Sequence, residues 1–422
     1  MTHDGLSGTL RPVASGGTTY RAVLRDREFR GLLVSDGLST LGDQIARIAV
    51  ALLVLEWTGS ALAASATYAL SYLTWMVGGP LLSALPDRFP RRRVMVLCDL
   101  VRAALFTLLA VPGLPLWAVF VVLVVGGLLA PPNDAARSAL LADLLDGERY
   151  VVANALNNVV GQVGQVLGFV LGGALVLGLG VRGALLVDAG TFVLSALVLQ
   201  LLVRERPYER LAAGATALSE AVAGVRLVMG ERRLRSLLGW GVLTACSVIA
   251  TEGLAVAVVH EQGGSPLLAG VLTAAAPVGF LLGSWLVLKV APERREGLFP
   301  WLVLGSCLLL LLSPLVDDPR LLSVLWILAG TGNALQLIAN SSFVQAVPPH
   351  LRGRAFGFAG AVLFAAQGVT LLAAGGLAEL VGPREAVALL AGVCILAVPL
   401  LAVPASREFP QGIPASGRLR SR

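Results

Sequence analysis

Apolar runs of bilayer length recur nearly end to end along the chain, at about 30–56, 60–85, 93–112, 114–132, 152–180, 184–203, 237–259, 267–290, 299–315, 320–345, 355–381 and 385–404. Crossing about 30 Å of hydrocarbon takes about 20 apolar residues as a helix, so twelve crossings fit. Each run is continuous and lacks the period-two alternation of a membrane barrel, and a helix satisfies every backbone group internally. The expected class is therefore an all-α membrane protein. With 56% hydrophobic and 14% charged residues, a soluble globule is excluded.

The formal charge of +6 invites a nucleic-acid reading, but the arginines alternate sides. If the chain starts in the cytoplasm, Arg88, Arg91, Arg92, Arg93, Arg137, Arg204, Arg232, Arg233, Arg294, Arg295, Arg352 and Arg354 all fall inside, while the outer turns hold only Arg182, Arg320 and Arg384. That bias predicts both termini in the cytoplasm and no nucleic-acid partner. Residues 1–28 are polar without an apolar core, so no removable signal peptide is expected. Trp57, Trp117, Trp240, Trp285, Trp301 and Trp326 sit near span ends, where an interfacial belt would place them, whereas Trp75 lies deeper. The single lysine, Lys289, lies between Leu288 and Val290, so no phosphate-binding Gly-Lys-Ser/Thr loop exists. His3, His260 and His350 cluster with no acid or cysteine, so the chain is not expected to be an enzyme, nor to need a cofactor or metal.

Between the second and third runs, Asp87-Arg88-Phe89-Pro90-Arg91-Arg92-Arg93 packs one acid and four arginines into seven residues. A second regularity is a shift of about 204 residues relating Gly59-Ser60 to Gly264-Ser265, Gly79 to Gly283, Arg91 to Arg295, and Gly172-Gly173 to Gly375-Gly376. A constant shift predicts a parallel repeat of two six-helix bundles. The chain then divides into a cytoplasmic segment 1–28, a bundle 29–203, a linker 204–236 with an amphipathic surface helix, a bundle 237–404, and a disordered tail 405–422.

The charged turn resembles the signature of the major facilitator superfamily, Gly-x-x-x-Asp-Arg-x-Gly-Arg-Arg, with Ser83 and Pro90 standing for the two glycines. The resemblance, which covers about 30–404, implies two pseudo-symmetric six-helix bundles around a central cavity and transport by alternating access. It also implies that Asp87 caps the start of the eleventh helix, near Ala355–Gly357, and latches the cytoplasmic side. Arg88, Arg91, Arg137, Arg352 and Arg354 are candidates for the same gate. The fifth run, Ala155 through Gly164, Gly168, Gly172 and Gly173, is similar to the G-x8-G-x3-G-P-x2-G-G motif of drug-exporting members; Ala155 replaces a glycine and Phe169 the proline. Glycines so spaced leave a flat helix face for close packing, the alternative being ordinary small-residue packing.

The first run carries Asp36, Asp43 and Arg47, spaced seven and four and so pointing one way. A charge at the bilayer centre costs about 2.5–3.5 kcal/mol on insertion scales, so these groups must face water or each other. Asp43 is the candidate proton or cation site; the alternative is a structural ion pair with Arg47. Asn158, Gln162 and Gln165, with Asn154, form an amide stripe on the fifth run, and Glu252 is the deepest acid of the second half. With Trp75 they predict a mostly apolar cavity suited to bulky amphiphiles. Asp99, Arg102 and Asp188 read as helix-end residues. The fourth run, taken as 114–132, has no arginine, although many drug–proton antiporters carry one there; Arg47 or Arg102 would substitute.

The expected protein is a monomeric secondary transporter of a bacterial cell membrane, exporting a drug, antibiotic or siderophore-like molecule against protons. The alternatives are proton-coupled uptake of a small solute and a non-transporting scaffold.

Overall fold

The computed structural model describes residues 20–82, 85–206, 217–348 and 351–401. Ser83 of the charged turn, the N-terminal segment before Tyr20 and the tail 405–422 lie outside them. The described residues are helical with short connections and no strand.

A short α1 (Tyr20–Leu24) leads into α2 (Arg27–Thr58). The Asp26 carboxylate caps α2 by accepting the Glu28 and Phe29 amides at 2.8 and 3.0 Å. Gly59, at φ 65°, turns the chain into α3 (Ala61–Leu82), and α4 (Arg91–Leu109) follows the charged turn. The fourth crossing is α5 (Leu116–Leu128) continued by α6 (Ala130–Leu144), and α7 (Gly147–Leu202) holds the fifth and sixth, bent at Gly180. After the linker helix α8 (Ala217–Gly230) come α9 (Arg232–Glu261), α10 (Pro266–Leu288), a short α11 (Pro292–Arg295) and α12 (Phe299–Leu310). The tenth crossing is α13 (Pro319–Gly330) with α14 (Leu335–Ala346), and α15 (Arg352–Val381) and α16 (Pro383–Leu401) complete the chain.

Nine segments among the described residues are long and apolar enough to cross a bilayer by composition alone. Counting α7 twice and adding α3 and α4 makes twelve. These two fall short because α3 carries polar residues such as Ser65, Thr67 and Thr74, and α4 adds Asp99 and Arg102 to the arginines at its start; the five interior groups named are buried in protein rather than lipid-facing. The periphery is inverted accordingly, with Leu315, Leu380, Leu396 and Leu400 each at least 78% exposed. Trp57, Trp117, Trp285 and Trp301 are exposed, but Trp326 is fully buried and donates to Ser313 Oγ at 3.1 Å, and Trp240 is buried against Phe299. Those two are core residues rather than belt residues.

The two halves repeat each other. α2 packs along α7 as α9 packs along α15, and across the halves α3 meets α15 as α10 meets α7. Gly180 (φ 72°) and Gly382 (φ 98°) make equivalent turns between the fifth and sixth and the eleventh and twelfth crossings. Ser60 Oγ accepts the Ala63 amide at 3.0 Å and Ser265 Oγ the Leu268 amide at 3.4 Å, capping the second and eighth.

Candidate functional site

The halves are closely joined on one face; on the other, the arginines of the α3–α4 turn that have ion-pair partners find them within the first half or just beyond its end. On the face holding the ends of α2 and α15, a side chain on Gly375 would begin 2.7 Å from the Leu62 Cα, and one on Gly173 would begin 2.4 Å from the Pro266 carbonyl oxygen. These are exchange-related contacts of bare backbone. Glu379 accepts the Ser60 hydroxyl and, at 3.3 Å, the Leu62 amide, so α15 caps the start of α3 from the opposite half. On the arginine-rich face, which carries the α3–α4 turn and the start of α15, Asp87 and Arg88 are exposed and their side chains have no hydrogen-bond or ion-pair partner among the described residues. Arg91 pairs with Asp143 and donates to the Ala139 carbonyl at 3.2 Å, and Arg352 donates to the Val347 carbonyl at 3.3 Å, each inside its own half. The expected contact of Asp87 with the start of α15 is not made among the described residues, and α15 begins at Arg352, a turn before the expected Ala355–Gly357.

Two cavities adjoin near the centre, the first walled by the N-terminal half alone and the second by both halves. One, of about 330 Å³, is lined by Asp36, Asp43, Arg47, Trp75, Arg102, Asp134, Arg137 and Asn157. Its wall is far more charged than the amphiphile cavity expected from single helices. The reason is pairing between helices, which neutralises each charge locally. Asp43 pairs with Arg102 of α4, whose guanidinium lies 4.4 Å over the Phe192 ring. Asp36 pairs with Arg137, which also reaches Asp134 at 3.1 Å and Asn133 at 3.3 Å. Asn133 donates to Asp99 at 2.9 Å, and Ser195 donates to the other Asp99 oxygen at 2.6 Å.

Asp43 and Arg47 thus do not pair with each other, although both line the same cavity. Asp99, Arg102 and Asp188 are interior side chains rather than helix-end residues. α4 begins at Arg91, which puts Arg102 three turns inside it, and the sixth crossing starts just after Gly180, which puts Asp188 about two turns inside it rather than at its start. The fourth crossing does carry an arginine: it runs on to Leu144 because Pro131 and Pro132 occupy the first turn of α6, where proline is tolerated, and Arg137 lies within it. Arg137 accordingly sits in the bundle's buried network.

The second cavity, about 290 Å³, is lined by Tyr72, Gln162, Gln165, Glu252, Phe280, Asn333, Gln336 and Gln367. Here amides and rings predominate. Asn158 and Asn154 are exposed and line neither cavity, so the amide stripe splits along α7. The two cavities meet at Arg47, which reaches Glu252 of the other half at 3.4 Å and lies 5.6 Å from the Tyr72 ring centre. Trp75 stacks on Phe364 across the halves at 5.2 Å. Phe364, Tyr72 and Phe280 had no distinguishing sequence signal, since aromatics in apolar runs are usually core.

The glycine motif packs as a flat seam. Methyl groups at Gly164, Gly168 and Gly172 would stand 3.4 Å from Thr40, 2.8 Å from the Leu41 carbonyl oxygen and 3.0 Å from the Ile45 Cα, all on α2, while Gly173 faces α10. α7 is thereby tied to the helix bearing Asp43 and to the opposite half.

The family model described as Major Facilitator Superfamily matches residues 32–299 and 253–421. The chain is 27% identical over 384 residues to the multidrug efflux pump Tap of Mycolicibacterium fortuitum, covering 87% of this chain and 93% of that protein. It is 26% identical over 148 residues to macrolide efflux protein A of Streptococcus pyogenes, 31% of this chain and 36% of that one. A crystal structure of a mutant form of the nucleoside transporter NupG has the same fold, with a TM-score of 0.72 at 14% identity over 89% of this chain and 98% of that one. With twelve crossings in two repeated bundles, the chain belongs to the major facilitator superfamily.

Proposed function

We propose that this transporter exports a bulky amphiphilic small molecule, of the drug, antibiotic or siderophore-like kind, in exchange for protons, by rocking its two halves about the central cavity. The carrying observation is that the halves are sealed together on one face by interlocked glycine backbone and joined, where the two cavities meet, by an ion pair between Arg47 and Glu252. The arginine bias assigns the open, arginine-rich face and both termini to the cytoplasm, so the state seen is the one that loads cargo from inside. The similarity to efflux proteins favours export.

The charges supply a coupling scheme. A proton arriving at Glu252 cancels its attraction for Arg47 and releases the tie between halves; a proton at Asp43 frees Arg102 within the N-terminal half. Cargo displaces the proton by occupying the same water-filled space. Amides and aromatic faces on the C-terminal wall suit apolar bodies with scattered acceptors. A membrane potential adds about 2.3 kcal/mol per charge per 100 mV, sufficient to drive accumulation with one proton per cycle.

The test is drug susceptibility of cells with and without the gene, joined to ethidium and erythromycin transport in everted vesicles carrying a pH-sensitive dye. Raised resistance with proton release from the vesicles on adding cargo supports export. Gained growth on a solute supports uptake and overturns this reading.

A further inference from the structure

Asp188 is a buried acid for which the coupling scheme above has no use. It lies on the sixth crossing with no accessible surface, and neither carboxylate oxygen has a hydrogen-bond partner. Asp99, a neighbouring buried acid, has both oxygens satisfied, by Asn133 and Ser195. Asp188 stands directly behind the cavity wall: its Oδ1 is 2.4 Å from where a side chain on Gly42 would begin, and Gly42 precedes Asp43. The charged groups facing it are Asp43 from α2 and Arg102 from α4. Arg102 is held over Phe192, one turn along from Asp188, and its Nε has no partner.

A bare carboxylate so enclosed costs several kcal/mol unless it is paired or neutralised. One guanidinium serves two carboxyls here, and in this conformation Asp43 has it.

We propose that Asp188 is a second proton-holding carboxyl of the transport cycle, sharing Arg102 with Asp43. The inference rests on the proton-coupled reading above. With Arg102 on Asp43, Asp188 carries the proton. When that proton passes from Asp188 to Asp43, Arg102 turns from Asp43 to Asp188, and Asp43, which faces the cavity, exchanges the proton with water there. Two carboxyls, one guanidinium and one proton sum to zero charge in both arrangements, so the exchange needs no net charge in the interior. Gly42 is small because the Asp188 carboxyl and the Thr191 hydroxyl occupy the place of its side chain.

Infrared spectroscopy of the full chain in lipid at neutral pH tests this without a transported compound. The wild type is expected to show a protonated-carboxyl band equivalent to one group per chain, lost in Asp188→Asn. In Asp43→Asn, with Asp188 intact, the band is also expected to disappear, because Arg102 is freed to pair with Asp188; a merely structural Asp188 would leave it unchanged. A band retained in Asp43→Asn, or no such band in the wild type, overturns the proposal. Should Asp188→Asn not fold, the wild-type and Asp43→Asn spectra decide. In vesicles, a gradient of one pH unit sets about tenfold accumulation for one proton per cargo molecule, and Asp188→Asn should lose that gain. Absence of pH-driven flux in the wild type defeats the exporter reading instead, leaving the infrared result to stand on its own.

Discussion

Arg137 shows how a charge survives inside this bundle. Its side chain is 11% exposed, its partner Asp36 8%, and Asp134 and Asn133 also accept from its terminal guanidinium nitrogens. Removing one member leaves an uncompensated buried charge, at about 3–5 kcal/mol. Arg137→Ala is therefore expected to lower the thermal unfolding temperature in detergent sharply, and Arg137→Gln with Asp36→Asn to recover much of the loss. Asp43 is 28% exposed to the cavity and is the opposite case. Asp43→Asn should insert normally yet lose pH-dependent transport, a flat pH profile in vesicles being the check; unchanged transport removes Asp43 from the cycle. The sequence placed Asp36, Asp43 and Arg47 on one face of one helix, as the cavity lining bears out. It could not supply their partners, because Arg102, Arg137 and Glu252 come from helices 59, 101 and 205 residues away. Spacing along one helix carries no information about such pairs.

At the scale of the helix, period and length were readable and interruptions were not. The Pro131-Pro132-Asn133-Asp134 stretch has the composition of a turn, yet its prolines fall where α6 begins and the crossing continues. Conversely α7 runs through a glycine whose backbone is not helical, which a search for apolar runs passes over as a loop of a few residues. The seam helices depend on bare backbone. Gly375→Val would drive a branched side chain into Leu62 and Ser65 and is expected to hold the sealed face apart. Glu379→Ala, which removes the cap on α3, should act in the same direction but more weakly. Alkylation of a cysteine introduced at Leu62, read from outside intact cells, measures both; unaltered labelling in Gly375→Val rules out the seam as the outer seal.

For the molecule as a whole, alternation requires each face to open while the other shuts. The Asp87 side chain has no partner among the described residues, so if it is the latch of the cytoplasmic gate its contact belongs to the reverse state. Asp87→Asn should shift the population toward the arrangement seen, raising the distance between spin labels at Phe89 and Gly353 across the arginine-rich face, and should leave expression unchanged. A distance distribution identical to wild type would dissociate Asp87 from the gate.

Arg47 and Glu252 stand at matching places in the two repeats, separated by nearly the same interval as the other landmarks, and they meet across the axis between the halves. Two copies of the first half would set arginine against arginine there, and two copies of the second would set acid against acid. The duplicated units have thus become complementary rather than interchangeable: expressed as separate fragments, each should select the other and refuse its own kind, so that the chain's ancestry as a symmetric pair is closed to it as a way back.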